Sequence, residues 1–272
     1  MASGSIDLGS NAGAGITKAV SLTTAQRYAL VPYDGTVVYD SSLRCLFIYN
    51  VDRWYPAQPI DPRSGFLMHE DWACNQLAGS NSWTGTGDSG SDAALYNNAA
   101  TGAVGQTLQS QTTAGGYSTL FLGDSYTPGA QSLFLDVRSY PYALSTGSEE
   151  FELNIGFGNT ATAAPFTNGI FFCYDRATDG NFWSCKTTAA SATTKTVTAV
   201  APVAATYQML SFAYYGGSVK FYIAGTLVAT HTTNLPTASI GARLKLVKSV
   251  GTNPNYLITD LFSTYSFFDT RR

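Results

Sequence analysis

The chain has 272 residues, a formal net charge of −3 and only 12% charged residues, about half the usual ~25%. It carries no basic block or Lys/Arg stripe to meet nucleic acid, and no apolar run nears the ~20 residues of a membrane span. Direct nucleic-acid contact and membrane insertion are therefore excluded as expectations.

Ser, Thr and Asn, with 26 Gly and 17 Tyr, replace the missing charge. Such a surface is neutral and hydrogen-bonding, as in lectin-like modules, virion fibres and secreted β-proteins. A chain this long buries roughly 70–75% of its unfolded surface, so its core needs no staples.

Residues 1–21 are rich in Gly, Ala, Ser and Asn and read as an N-terminal arm with too little apolar content to pack alone. Residues 22–62 form a small unit. Leu22 to Ala29 read as a short helix capped by Thr23 or Ser21, with Pro32 beyond its end. A hairpin follows, Gly35–Tyr39 and Leu43–Tyr49, and a further turn leads to Arg53-Trp54-Tyr55. Three short strands are marginal alone and call for association. Pro56, Pro59 and Pro62 make a stiff connector, and the main boundary is placed there.

Residues 63–272 read as one all-β domain. Residues 65–116 hold loops and first strands. Strands are then expected at Tyr117–Leu122, Ser132–Tyr140, Glu149–Gly156, Ile170–Asp175, Phe182–Thr187, Thr194–Val200, Tyr207–Tyr214, Val219–Ile223, Thr226–His231, Ala242–Lys248 and Asn255–Phe268. Phe151, Leu153, Ile155 and Phe157 alternate with Glu150, Glu152, Asn154 and Gly156, the period-two mark of a strand with one buried and one wet face. Close spacing with turn signals favours an antiparallel jelly-roll sandwich.

Little in this pattern bears chemistry. Glu150 and Glu152 share a strand face, and paired carboxylates roughly 5–9.5 Å apart are what glycoside hydrolysis uses. The glycosidase signature Glu-x-Asp-x-x-Glu is not met, since Glu150-Phe-Glu152-Leu-Asn-Ile155 lacks the middle Asp and the third acid. A solvated strand face explains the pair. Gly87-Asp-Ser-Gly90 and Leu120-Phe-Leu-Gly-Asp-Ser125 have the letters of hydrolase nucleophile loops. The chain has two histidines, His69 and His231, and neither stands where those triads need it, so both stretches read as turns. Asp88-Ser-Gly-Ser-Asp92 and Asp175-Arg-Ala-Thr-Asp179 could offer calcium oxygens but do not match EF-hand spacing. His231 ends a strand and is expected at the surface. No catalytic residue, cofactor or metal is expected.

Folded about Asp179, the hairpin places Cys173 opposite Cys185. Either a cross-strand disulfide or two buried thiols side by side would fit, and folding in cytoplasm favours the thiols. Exposed aromatics could stack on sugar rings, and Trp83, Tyr96, Tyr117, Tyr214 and Tyr215 form that pool, while Trp183 reads as core.

The segment Thr23-Thr-Ala-Gln-Arg-Tyr-Ala-Leu30, then Gly35-Thr-Val-Val-Tyr-Asp, Leu46-Phe-Ile-Tyr-Asn and Arg53-Trp54, resembles a module of bacteriophage tail and appendage proteins. Asn168-Gly-Ile-Phe-Phe-Cys-Tyr-Asp175, Asn181-Phe-Trp-Ser-Cys185, Val219-Lys-Phe-Tyr-Ile-Ala-Gly225, Asn234-Leu-Pro236 and Lys245-Leu-Val-Lys-Ser-Val-Gly251 resemble the concanavalin A-like sandwich domains of phage structural proteins. The resemblances imply two curved antiparallel sheets and a homotrimeric virion appendage or capsid decoration. Attachment to other virion proteins would run through the N-terminal part. A lectin-type module for host-surface glycan is the alternative, and a glycoside hydrolase ranks third. Met1–Asp7 has neither a positive nor an apolar signal region, so the expected route is folding in host cytoplasm and carriage in the virion.

Overall fold

A computed structural model of the chain describes residues 19–41, 45–50, 53–56, 65–71, 83–88, 92–98, 103–110, 112–129 and 131–268. The chain divides into two compact units, residues 1–65 with 270–272 and residues 66–269. That division falls three residues beyond the boundary expected from the prolines.

In the first unit, β1 (Val20–Leu22) leads into α1 (Thr24–Ala29), followed by β2 (Val37–Asp40), β3 (Cys45–Asn50) and β4 (Arg53–Pro56). The helix begins where a capping box allows it: Thr23 accepts from the Gln26 backbone amide while the Gln26 side chain accepts from Thr23 N. Four strands pair in the order β1-β2-β3-β4, with β1 parallel to β2 and the rest antiparallel. β1 is one strand more than expected, because three residues hold too little pattern to read. Arg27 carries this small unit. Wholly buried, it donates to Asp40 Oδ2 at 2.9 Å and lies 3.9 Å over the Phe47 ring.

The second unit is a sandwich. In chain order its strands are β5 (Gly65–Asp71), β6 (Thr84–Gly87), β7 (Asp92–Asn98), β8 (Ala103–Gln109), β9 (Tyr117–Phe121), β10 (Gln131–Pro141), β11 (Glu150–Gly158) and β12 (Gly169–Asp175). After the single-turn helix α2 (Arg176–Asp179) come β13 (Trp183–Ala189), β14 (Ala192–Val197), β15 (Gln208–Tyr215), β16 (Ser218–Ile223), β17 (Thr226–His231), β18 (Gly241–Val250) and β19 (Tyr256–Phe268). One sheet runs β17-β16-β15-β10-β19-β8-β7, with β5 also on β19; the other runs β14-β13-β12-β11-β18-β9-β6. Among the described residues no helix is long and apolar enough to cross a membrane. The antiparallel jelly-roll-type sandwich anticipated from the strand pattern is what forms.

The core lies between the sheets. Phe151, Leu153, Ile155 and Phe157 of β11 point into it as their alternation requires. Rings interlock across the gap: Phe172 meets Phe221 edge-on at 5.3 Å, and Phe157 meets Phe212 at 6.1 Å. Trp183, fully buried as expected, donates its indole N–H to Gln208 Oε1 at 3.0 Å, joining the two sheets.

Candidate functional site

The outer face of the seven-stranded sheet is where chemistry collects. Register places Thr119 (β9), Lys245 (β18), Asn154 (β11), Cys173 (β12) and Ser184 (β13) side by side in one row across five strands. All five are at most 2% exposed. Arg243 and Lys186 belong to the next row, and Tyr117, Val247 and Glu152 to the row on the other side.

A polar sheet face becomes buried only if something lies on it, and here the connection between β11 and β12 does. Asn159 folds this strap, its Oδ1 accepting from the Thr167 and Asn168 amides at 3.1 Å and its Nδ2 donating to Thr167 Oγ1 at 2.7 Å. Phe166 then packs edge-on to Phe171 at 4.9 Å, beside Cys173. Gly158 makes room: a Cβ there would sit 2.6 Å from the Phe166 ring. Lys245 Nζ donates to Ala164 O at 2.8 Å and lies 4.2 Å from the Phe166 ring centre.

Beneath the strap the groups are unevenly satisfied. Glu152 Oε1 accepts from Asn154 Nδ2 at 2.8 Å and receives the Cys173 thiol at 3.7 Å, while Lys186 Nζ donates to Cys173 Sγ at 3.0 Å. Asn154 Oδ1, Thr119 Oγ1 and Arg243 Nε are buried without a hydrogen-bond partner. Buried polar atoms left unpaired cost about 1–3 kcal/mol each, so this row does not add to the stability of the sheet. Burial lowers Lys245 to about 8, with Glu152 opposing. Burial likewise pushes the Cys173 thiol up to about 12, Glu152 adding to the shift and Lys186 working against it. The row therefore gathers hydroxyl, amide, thiol and amine groups beneath the strap.

The structure sorts the residues singled out from sequence. Among the sugar-stacking pool, Trp83 and Tyr214 are corrected to core: Trp83 meets Phe262 edge-on at 5.2 Å, and Tyr214 turns inward with Phe212. Tyr214 holds an inward position in the β15 alternation, and Trp83 enters the core from just before β6. Tyr117 is half-buried and flanks the polar row on the same face, whereas Tyr215 lies on the outer side of the other sheet. Tyr96 is on β7, and its side chain lies outside the described residues.

The cysteine pair is also corrected. Cys173 pairs with Ser184, and Cys185 with Phe172. This register is one residue from that of a hairpin centred on Asp179, so the two thiols point to opposite faces. Both are free, Cys185 within the core and Cys173 outside it. His231 is corrected from surface to interior: 2% exposed, its Nδ1 lies 3.1 Å from Thr187 Oγ1 and its Nε2 2.9 Å from Thr196 Oγ1.

Apart from Glu152, the acidic groups singled out below are committed outside the row. Glu150 takes Arg176 at 2.9 Å. Asp175 caps α2, accepting from Ala177 N at 3.1 Å and Thr178 Oγ1 at 2.7 Å, and Asp179 takes Lys195 at 2.5 Å. Asp124, from the Gly-Asp-Ser stretch, binds Arg243 at 2.5 Å. Among the described residues no group of three or more His, Cys, Asp or Glu could hold a metal. His69, Asp92 and Cys45 have side chains outside the described residues, and Cys74 and Ser89 lie outside them altogether. Sequence reading missed Lys245, Arg243, Lys186 and Thr119. Arg243 and Lys245 alternate with Leu244 and Leu246, which signals an outer face but not the strap that covers it.

Residues 101–260 match the family described as SO2946-like, C-terminal domain. The chain belongs to that family. No curated protein matches it. Among solved structures, this SO2946-like chain is similar to the protein of unknown function SO2946 from Shewanella oneidensis MR-1, at 15% identity and a TM-score of 0.55, over 77% of this chain and 89% of that one. It is also similar to a Bacillus licheniformis β-glucanase, at 17% identity and a TM-score of 0.51, over 76% of this chain and 98% of that one. A protein of unknown function with a galectin-like fold from Bacillus subtilis aligns at 11% identity and a TM-score of 0.47, over 75% and 96% of the two chains. The first two likenesses establish the fold that the SO2946-like domain shares with them.

Proposed function

We propose that this protein is a non-enzymatic display component of a tailed-phage particle. Its N-terminal unit attaches to the particle or to further copies of the chain, and its SO2946-like sandwich takes a host-surface saccharide on the polar row once the strap of residues 159–168 lifts from it. The observation that carries the attachment role is where apolar side chains meet water. Six of the twelve exposed large hydrophobics among the described residues, Val20, Leu30, Val31, Tyr33, Val37 and Ile48, fall in the small first unit, with Val31 91% and Tyr33 84% exposed. Val37 and Ile48 face each other across β2 and β3. Exposure of this density marks an association surface, and the Thr23–Trp54 resemblance to phage appendage modules supplies its setting.

For the sandwich, the unpaired Asn154 Oδ1, Thr119 Oγ1 and Arg243 Nε favour recognition of a hydroxyl-rich ligand, with Tyr117 alongside to stack on a ring face. Pairing of Glu150 with Arg176, and of Glu152 with Asn154, supports binding over hydrolysis. A Val31→Asp, Tyr33→Asp variant should fold with an unchanged melting temperature yet fail to enter particles or trimers; normal incorporation would sink the attachment role. On a glycan array, the full chain should retain a saccharide that Asn154→Ala no longer holds. Uniform absence of binding would leave a purely architectural sandwich.

A further inference from the structure

One contact on the outer face is not explained by ligand binding. Lys186, largely buried, gives its hydrogen bond to a sulfur: Nζ lies 3.0 Å from Cys173 Sγ. Adjacent strands hold the two residues, since Phe171 pairs with Lys186 and Cys173 with Ser184, so the lysine reaches diagonally along one face of the β12–β13 hairpin. Glu152 completes the group, its Oε1 3.7 Å from the same sulfur. Cys185 points into the core on the far side of the sheet, so it cannot compete for the Cys173 thiol. Phe166 and Phe171 close over the thiol and exclude water-borne oxidants. Dioxygen, small and apolar, partitions into such packing.

We propose that Cys173 and Lys186 form a modification site, in which dioxygen joins them through one oxygen atom as an N–O–S bridge. The balance closes with Glu152. The thiol loses its S–H hydrogen, and the lysine ammonium loses two N–H hydrogens. The O–O bond breaks, one oxygen forming bonds to S and to N and the other leaving as water. Of the four hydrogens on the thiol and ammonium, one stays on nitrogen, two leave in the water and one passes to the Glu152 carboxylate. Sulfur and nitrogen together give up the electrons that reduce the oxygen. The product ties β12 to β13 beneath the strap, and a thiol reductant would reverse it.

The test uses the full-length chain, purified without reductant and equilibrated in air-saturated buffer. It is denatured, its free thiols are alkylated, and it is digested with trypsin. The expected result is a species linking the Cys173 and Lys186 peptides, uncut after Lys186 and about 14 Da above the sum of its parts, for one oxygen gained and two hydrogens lost. Thiol reductant, Cys173→Ser and Lys186→Arg should each abolish it, while Glu152→Gln should slow its formation roughly tenfold or more. Recovery of Cys173 fully alkylated with normal cleavage after Lys186 would overturn the proposal. So would Cys173 carrying only the about 16 or 32 Da of its oxygen acids, or a link that persists in Lys186→Arg.

Discussion

His231 shows how far a residue's environment can depart from its place in the sequence. It ends β17, as the strand pattern predicts, yet it packs edge-on to Phe221 at 5.2 Å with a threonine hydroxyl at each ring nitrogen. Burial lowers its pKa from 6.5. A depressed folded-state value means the unfolded chain binds the proton first, so this contribution to stability is present above about pH 6.5 and is lost as pH falls below it. Urea denaturation between pH 7.5 and 5.5 should show a falling midpoint, and His231→Gln should flatten that dependence. Lys245 behaves in the same sense at higher pH. With its folded value lowered to about 8, stability should rise as pH climbs from about 8 to about 10.5. Replacing the buried amine should relieve its desolvation, so Lys245→Met should match or exceed the parent's stability at pH 7, by up to about 1–3 kcal/mol. The same variant should lose saccharide binding. A large destabilisation on calorimetry would instead make Lys245 a structural group.

At the scale of elements, local signals place most strands within one or two residues, because alternation and turns are written where they act. Thr226–His231 matches its expected span, and Glu149–Gly156 became Glu150–Gly158. What fails is register. A one-residue slip in the β12–β13 pairing separates Cys173 from Cys185, and nothing local distinguishes the two alignments. The strap is likewise illegible: Asn159 and Phe166 read as ordinary loop residues until Gly158 is seen beneath the ring. Gly158→Ala should force Phe166 off the sheet, costing about 1–3 kcal/mol and raising hydrogen exchange in residues 159–168. Unchanged exchange would show that the strap has room to spare. In the first unit, Thr23→Ala removes one side of the capping box and should cost about 1 kcal/mol. Asp40→Ala leaves Arg27 buried beside Phe47 without its carboxylate, a loss of about 3–5 kcal/mol. Loss of the first unit's near-ultraviolet signal at lower temperature would report it.

Over the whole molecule, the sandwich depends on contact between its sheets. Phe221 touches Phe172 on the opposite sheet and Phe212 and His231 on its own, so Phe221→Ala should cost about 3–5 kcal/mol and lower the sandwich's thermal midpoint. The amino-acid sequence by itself determined the all-β class, most strand positions and the inward set of β11. These follow from side-chain periodicity and from proline and glycine constraints, which act over a few residues. Only the tertiary structure decided that Trp83, Tyr214 and His231 lie inside and that the cysteines face apart. It alone set a row from Thr119 to Ser184 under a strap. Those outcomes depend on which strands become neighbours and in what register, and pairing across a hundred residues leaves no local trace in the chain.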